Sequence, residues 1–527
     1  MNKFHFKYLL MIAIVMVAAL TGCGGGGGGG GVVDPGAATL AIPTTNQLTT
    51  PAAFSSEPGY FPTIGPNVEL ALNNFTNTSE ALMVFVNMTA QTQQLSWGVD
   101  KLPTAASRRG SVIAGRHEVE QQGALSPEHS FHLMLRQQSQ RQRRFGQASS
   151  QTLRASTRAV ALNETQSFIL YVSDTQTETI SAVCKHTELL AGTDKNFHIF
   201  VDNSVNMAQV ADVVSNIANN WTKIYAKNRE IFGEEPTGVL DNGVNATDFY
   251  MVISPKVFTA GYFFTGDLNL TSVTPTSNQK KIFFLDLEAI NTANDRARAI
   301  NVLSATMAHE FQHMIHFWQR GSTSDIWLEE AMSGYAEHIN DYRIDNGINQ
   351  SKALQANIYF NHISDVQLDA WHAGNDLDST VNAHYGKVFL FGVWLAQNYG
   401  SSGSVVALLK NKTTDVAAVE AFTGKNFGEL YSKFMLALIV NNPDADNDGY
   451  GIDGLDLTAT YPFLNDLSSV SLTGPAVAEV AATAESSSNP TIAPRAAVYV
   501  KVGQGDGSGV WLTSTLPSGT AMFQLRK

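Results

Sequence analysis

The chain has 527 residues, 44% of them hydrophobic and 15% charged, with 42 glycines and 17 prolines. Such a composition belongs to a globular protein with many turns, and the length is enough for two or three domains. A net charge of -13 repels a phosphate backbone and argues against a nucleic-acid partner, while two cysteines, Cys23 and Cys184, are too few for a disulfide framework.

Residues 1–22 read as a signal peptide: Lys3 and Lys7 precede the apolar stretch Leu9 to Leu20, which is too short and wrongly flanked to span a membrane. The stretch closes on Leu20-Thr21-Gly22-Cys23, which resembles the bacterial lipobox. That resemblance implies lipidation of Cys23 as the mature N-terminus and a cell-envelope lipoprotein, held at the outer membrane or cell surface. Gly24 to Gly31 then behave as a flexible coil, so residues 23–40 are an anchor and a linker.

Residues 41–190 carry short apolar stretches such as Ala81 to Val86 and Ser167 to Val172, separated by Thr, Asn and Gly, which predicts a β-rich domain. Cys184 is expected there as a free thiol packed like a small apolar residue. Residues 104–158 interrupt the pattern with Arg, Gln and Ser, including Arg141-Gln142-Arg143-Arg144. Lacking the interleaved aromatics of a nucleic-acid platform, this segment is expected to be a solvated, mobile insertion.

From about residue 195, strands and helices alternate. His198 to Val201, Phe249 to Ile253 and Lys281 to Leu285 read as strands, and Met207 to Phe232 as a long amphipathic helix. Helical spacing of apolar residues then runs through Asp295 to Arg320, Ile326 to Ile339, Tyr385 to Tyr399 and Phe427 to Val440. From about residue 456, Val, Thr, Ser and Gly predict further β structure, residues 456–527 forming a C-terminal β-rich region. The fold class is α+β.

Within the helix that ends at Arg320 stands His309-Glu310-Phe311-Gln312-His313. Residues four apart share a helix face, so two imidazoles can converge on one metal with Glu310 close enough to hold a water on it. The pattern arises by chance in on the order of one chain in a hundred of this length, so its context decides. Ile300, Leu303, Met307, Met314 and Phe317 supply the apolar surface of a buried helix. A catalytic zinc needs a third protein ligand, and Trp327-Leu328-Glu329-Glu330-Ala331-Met332-Ser333 opens the next helix, where an acidic residue can fold back after a turn.

These two motifs resemble those of the hyicolysin-type bacterial metallopeptidases and, more distantly, of the aminopeptidase N-like enzymes. The resemblance covers residues 195–440. It implies a zincin-like catalytic domain, with a β-sheet lobe carrying the active-site helix and then a helical lobe. It further implies a gluzincin with Zn2+ on His309, His313 and Glu330 and with Glu310 as the base. Glu329 falls where the relatives often have Asn, and the two motifs stand closer together than in the aminopeptidases. Tyr385, in His384-Tyr385-Gly386-Lys387, resembles the tyrosine that stabilises the oxyanion in those enzymes.

Glu337, seven residues after Glu330, can accept a hydrogen bond from a ligand imidazole or stand solvated on its helix. Gly261 to Phe264 is a candidate edge strand for an extended substrate. His316, His338, His372 and His384 lack motif partners and are expected mainly in packing or surface roles. Asp444 to Gly449 imitates a calcium loop but has Leu455 at the twelfth position, which points to a polar turn. With no Gly-x-Met-Glu-Asn element for a substrate amine, the expected activity is that of an endopeptidase on protein or peptide substrates. A surface adhesin that keeps the same fold is the alternative.

Overall fold

A computed structural model of the chain describes residues 61–63, 67–72, 78–101, 127–141, 160–287, 296–321, 325–371, 378–400, 404–444, 449–463, 469–483, 486–506 and 510–526. The expected signal peptide, Cys23, His372 and the central residues of the Asp444 turn lie outside the described residues. The fold is α+β and divides into two compact units, one of Met1–His117 with Val477–Lys527 and one of Glu118–Ala476.

The first unit joins the two ends of the sequence. Its strands are β1 (Phe61–Thr63), β2 (Asn67–Leu72), β3 (Ala81–Asn87), β4 (Gln93–Gln94) and β5 (Ser96–Lys101) from the N-terminal part. Strands β14 (Ala478–Ala481), β15 (Ser486–Ser488), β16 (Thr491–Ile492), β17 (Ala497–Gly503), β18 (Val510–Thr515) and β19 (Thr520–Arg526) come from the C-terminal part. They build one sheet in the order β1-β19-β3-β17-β14, another in the order β15-β5-β18-β2, and the small pair β16-β4. Met83, Phe85, Val500 and Met522 from one sheet share a core with Trp97, Val99, Val510 and Leu512 from the other. Alternating apolar residues in each strand therefore close a two-layer β structure.

The second unit is organised by a six-stranded mixed sheet in the order β10-β11-β9-β8-β7-β6. Its strands are β6 (Thr165–Tyr171), β7 (Thr177–Leu189), β8 (Asn196–Asp202), β9 (Phe249–Ser254), β10 (Gly261–Phe263) and β11 (Lys281–Asp286). Strands β8, β9 and β11 run parallel, whereas β10 lies antiparallel to β11 at the sheet edge. β6 and β7, expected within a β-rich domain ending near residue 190, join this sheet, β6 pairing with β7 and β7 with β8. Cys184 is a buried free thiol of β7, as expected.

Both faces of the sheet are covered. On one face Phe197, Phe249 and Phe283 pack around Trp221 of α2 (Ala211–Phe232), with ring centroids 5.0–5.3 Å apart. Trp221 and Phe249 in turn hold Phe311 of α3 (Arg296–Arg320), the helix that carries the His-Glu motif. The other face, formed by Phe168, Leu170, Ala182, Cys184, Val252, Ile282 and Phe284, packs against Phe131 and Leu135. These two residues belong to α1 (Pro127–Arg141), inside the segment expected to be a solvated, mobile insertion. That expectation is corrected for these residues. Pro127 opens the helix at a position that needs no amide donor, and Phe131, Met134 and Leu135 recur at helical spacing.

The remaining described helices are α4 (Ile326–Ile339), α5 (Gln350–Asn361), α6 (Asp378–Tyr399), α7 (Ser404–Lys410), α8 (Asp415–Thr423) and α9 (Phe427–Val440). The short pair β12 (Thr460–Pro462) and β13 (Ser469–Ser471) follows. No described helix is long and apolar enough to cross a membrane.

Candidate metal centre

Helix α3 reaches the centre because its buried side is apolar and its C-terminal end is anchored. Arg320 is buried and donates to the carbonyls of Leu408 and Thr413 and to Asp415 Oδ1, at 3.2, 2.9 and 2.5 Å. The other oxygen of Asp415 accepts from the amide of Asp325, at 2.7 Å, at the N-cap of α4. One carboxylate thus ties the end of α3 to the start of α4. α6 then lies against the backbone of α4, where a Cβ on Gly392 would stand 2.4 Å from the Ala331 carbonyl, a distance only glycine tolerates.

His309, Glu310 and His313 lie together on α3 and can hold a metal ion, their ligand atoms all within 4.8 Å of one another. The helix places the two imidazoles with centroids 4.7 Å apart. Glu330 of α4 faces both: its Oε2 is 3.3 Å from His309 Nε2 and its Oε1 is 3.6 Å from His313 Nε2. Ligand atoms arranged tetrahedrally at 2.0–2.1 Å from an ion stand about 3.3 Å apart, so both separations from Glu330 are close to those of such a site. His313 Nε2 is buried without a hydrogen-bond partner, and Glu330 Oε2 meets only the imidazole of His309. Two imidazole nitrogens and a carboxylate turned toward one another are a donor set that fits a cation at this point.

The outer nitrogens are held from behind. His309 Nδ1 donates to Glu337 Oε1 at 2.8 Å, and Glu337 in turn accepts from Asn349 Nδ2 at 2.6 Å and pairs with Lys352 Nζ at 3.4 Å. Glu337 is therefore a buried partner of the ligand imidazole, not a solvated residue. Burial would raise its pKa, but Lys352 and His309 outweigh it and keep the carboxylate ionised. His313 Nδ1 lies 3.1 Å from both Glu329 Oε1 and Ser333 Oγ, and Ser333 gives its own proton to Gln312 Oε1 at 2.6 Å. With each Nδ1 acting as donor, each Nε2 can turn a lone pair to the centre. The adjacent Glu329 and Glu330 thus face opposite nitrogens of His313.

The electrostatics lean negative. Glu310, Glu329 and Glu330 are all buried, and the cation set among them is Arg136 of α1, with Nε 3.2 Å from Glu330 Oε1 and Nη2 3.5 Å from Glu310 Oε2. Burial raises the pKa of Glu310 and of Glu329. For Glu330, burial is outweighed by His313, His309 and Arg136, which hold it well below the usual carboxylate range. Burial lowers His309, but Glu330 and Glu337 outweigh it and raise its pKa to about 9. Burial and then Arg136 pull His313 well down. Three carboxylates thus face one guanidinium and the His309 imidazole, an excess of acceptors that a divalent ion would offset.

Glu310 Oε2 also accepts from the amide of Phe263 in β10 at 2.9 Å. The edge strand comes this near α3 because residue 261 is glycine; a Cβ there would meet the Phe284 carbonyl at 2.7 Å and Thr306 Cγ2 at 2.8 Å. Tyr385 of α6 stands nearby, half-buried against Trp371 at 4.9 Å and His129 at 6.2 Å between centroids. After burial, the charges of Glu330, Arg136 and Glu310 bear on its hydroxyl. His316 is buried against Gln312, at 3.3 Å, His338 meets Gln397 at 3.4 Å, and His384 packs on Trp371. All three stand outside the metal-holding group.

Sequence reasoning missed Arg136, His132, Asn349 and Lys352. The signal for the first two is the helical spacing of Phe131, Met134 and Leu135 after Pro127, which places His132 and Arg136 one turn apart on another face. Asn349 and Lys352 have no motif. No protein-family model matches the chain, and no curated protein is significantly similar to it.

Proposed function

We propose that the chain is a zinc-dependent endopeptidase of gluzincin type, with His309, His313 and Glu330 holding the metal and Glu310 acting as base. The observation that carries this reading is the convergence of both Nε2 atoms on Glu330, beside a buried Glu310 that ligation does not require. The mixed sheet with antiparallel β10 beside α3 supports a zincin-like arrangement. Attachment to the cell envelope through Cys23 belongs to the same proposal.

Zinc, when bound, supplies the Lewis acidity that brings a water to a pKa of about 7 and polarises the scissile carbonyl. Glu337 and Glu329, behind the two imidazoles, fix ring orientation and tautomer. Glu310 takes the proton of the attacking water on its carboxylate and returns it to the leaving nitrogen. The free edge of β10 offers Phe263 N–H to an extended peptide once Glu310 releases it. Tyr385 would donate its hydroxyl to the developing oxyanion.

The test is Glu310→Gln. Zinc content should stay at one per chain and the melting temperature should hold, while casein hydrolysis falls by roughly 10²-fold or more. A variant that cleaves as fast as wild type removes Glu310 as the base. A zinc-loaded wild type that cleaves no protein or peptide favours metal-dependent binding instead.

A further inference from the structure

The proposed chemistry makes no use of helix α1, yet α1 touches Tyr385, both carboxylates and the residues just past β10. His129 stacks at 6.2 Å on Tyr385, Arg136 reaches Glu330 and Glu310, and Ser139 Oγ donates to Thr265 Oγ1, just past β10, at 3.2 Å. Between them stands half-buried His132, whose loss of solvent together with Arg136 lowers its pKa to about 3, so that it is a neutral ring. The opposite side of α1 is fastened by Phe131, whose ring lies 5.2 Å from Tyr262 of β10 and 5.5 Å from Phe258. The helix therefore runs from the tyrosine to the end of the edge strand, past both carboxylates.

Three functional groups are engaged, Glu310 and Glu330 by Arg136 and Phe263 N–H by Glu310. Glu310 Oε2, which must be open to take a proton, accepts from Phe263 N–H and faces Arg136 Nη2. Phe263 N–H, which would pair with an extended peptide, is spent on Glu310. Glu330 Oε1 is bound by Arg136 Nε. A peptide whose scissile bond reached Glu310 would meet Arg136, whose Nη2 stands 3.5 Å from Glu310 Oε2.

We propose that α1 is an intramolecular inhibitor: Arg136 plugs the metal centre, and a peptide enters only after α1 withdraws. This rests on the peptidase reading. The competing role, Arg136 working in place on substrate, predicts the opposite response to tethering.

The experiment uses the full zinc-loaded chain carrying Ser139→Cys with Thr265→Cys, whose disulfide fixes α1 beside the end of β10, and, separately, Arg136→Ala. Two rates are measured, cleavage of a fluorogenic casein-derived peptide and extraction of zinc by pyridine-2,6-dicarboxylate. The oxidised double variant should cleave and release zinc at least tenfold more slowly than its reduced form. Arg136→Ala should do both at least tenfold faster than wild type. Equal cleavage by the oxidised and reduced forms, or slower cleavage by Arg136→Ala with an unchanged melting temperature, overturns the proposal. If no form cleaves any peptide, the peptidase reading fails and zinc release alone decides, with equal release from the tethered and untethered forms overturning the plug.

Discussion

Glu235 and Glu330 are both buried carboxylates that meet cations, yet the balance of charge around them is opposite. Glu235 lies 2.8 Å from Lys195 Nζ, 3.0 Å from Arg229 Nε and 3.6 Å from Lys281 Nζ, and Tyr225 donates to it at 3.0 Å. The surplus donors of Lys281 end on the carbonyls of Pro236 and Thr247, each at 3.1 Å. At Glu330 the balance is reversed, with three carboxylates facing one guanidinium and with His313 Nε2 lacking a hydrogen-bond partner. Buried charge by itself marks neither function nor stability. A surplus of acceptors with inward lone pairs marks a place that takes a cation, whereas a carboxylate enclosed by donors is a closed structural knot.

If that contrast is right, the largest effect on stability comes from the closed cluster. Glu235→Gln strands buried cations and should cost about 3–5 kcal/mol in denaturant unfolding, with zinc per folded chain unchanged. Its pH dependence follows from the depressed pKa of about 2, where burial is outweighed by Lys281 and Lys195. The contribution is full above the ordinary carboxylate value near 4.5, is lost as pH falls through about 2, and this acid limb should flatten in Glu235→Gln. A variant as stable as wild type would break the comparison.

Removing metal tests the open cluster. With zinc at a hundredfold over its dissociation constant, chelation should lower stability by about 2.7 kcal/mol. Glu235→Gln should lose nearly the same increment, because the two clusters share no partner. An unchanged melting curve after chelation would mean that the acceptor surplus needs no cation.

Smaller effects grade the groups behind the ligands. Glu337→Gln should weaken zinc affinity about 10- to 100-fold in competition with a chromogenic chelator, because the acceptor behind His309 loses its negative charge. Glu329→Gln should cost less, since Ser333 Oγ still accepts from His313 Nδ1. Glu330→Gln should lose the metal altogether. A reversed order for Glu329 and Glu330 would reassign the third ligand by one residue.

Some elements could be read from the chain alone. The bounds Ile326–Ile339 and Phe427–Val440 match the apolar periodicity, because long amphipathic helices are specified locally. Helix α1 could not be read so well. It is mostly Gln, Arg, Ser and His, and its stability comes from Phe131 in the sheet core and Arg136 against residues 174 and 194 positions away. The pairing of β3 with β17 and β19 likewise spans most of the sequence and leaves no local trace.

The sequence by itself determined the pairing of His309 with His313 and the nearness of Glu310, because helix pitch puts residues four apart on one face whatever surrounds them. Only the tertiary structure decided which of Glu329 and Glu330 faces both Nε2 atoms. Neighbours on a helix point about 100° apart, so the rotation of α4 chooses which one meets the imidazole pair. Arg320 with Asp415 and the close seat of Ala331 on Gly392 set that rotation. The same holds for Arg136, whose charge acquires a role only where folding carries it, out of water, among three carboxylates.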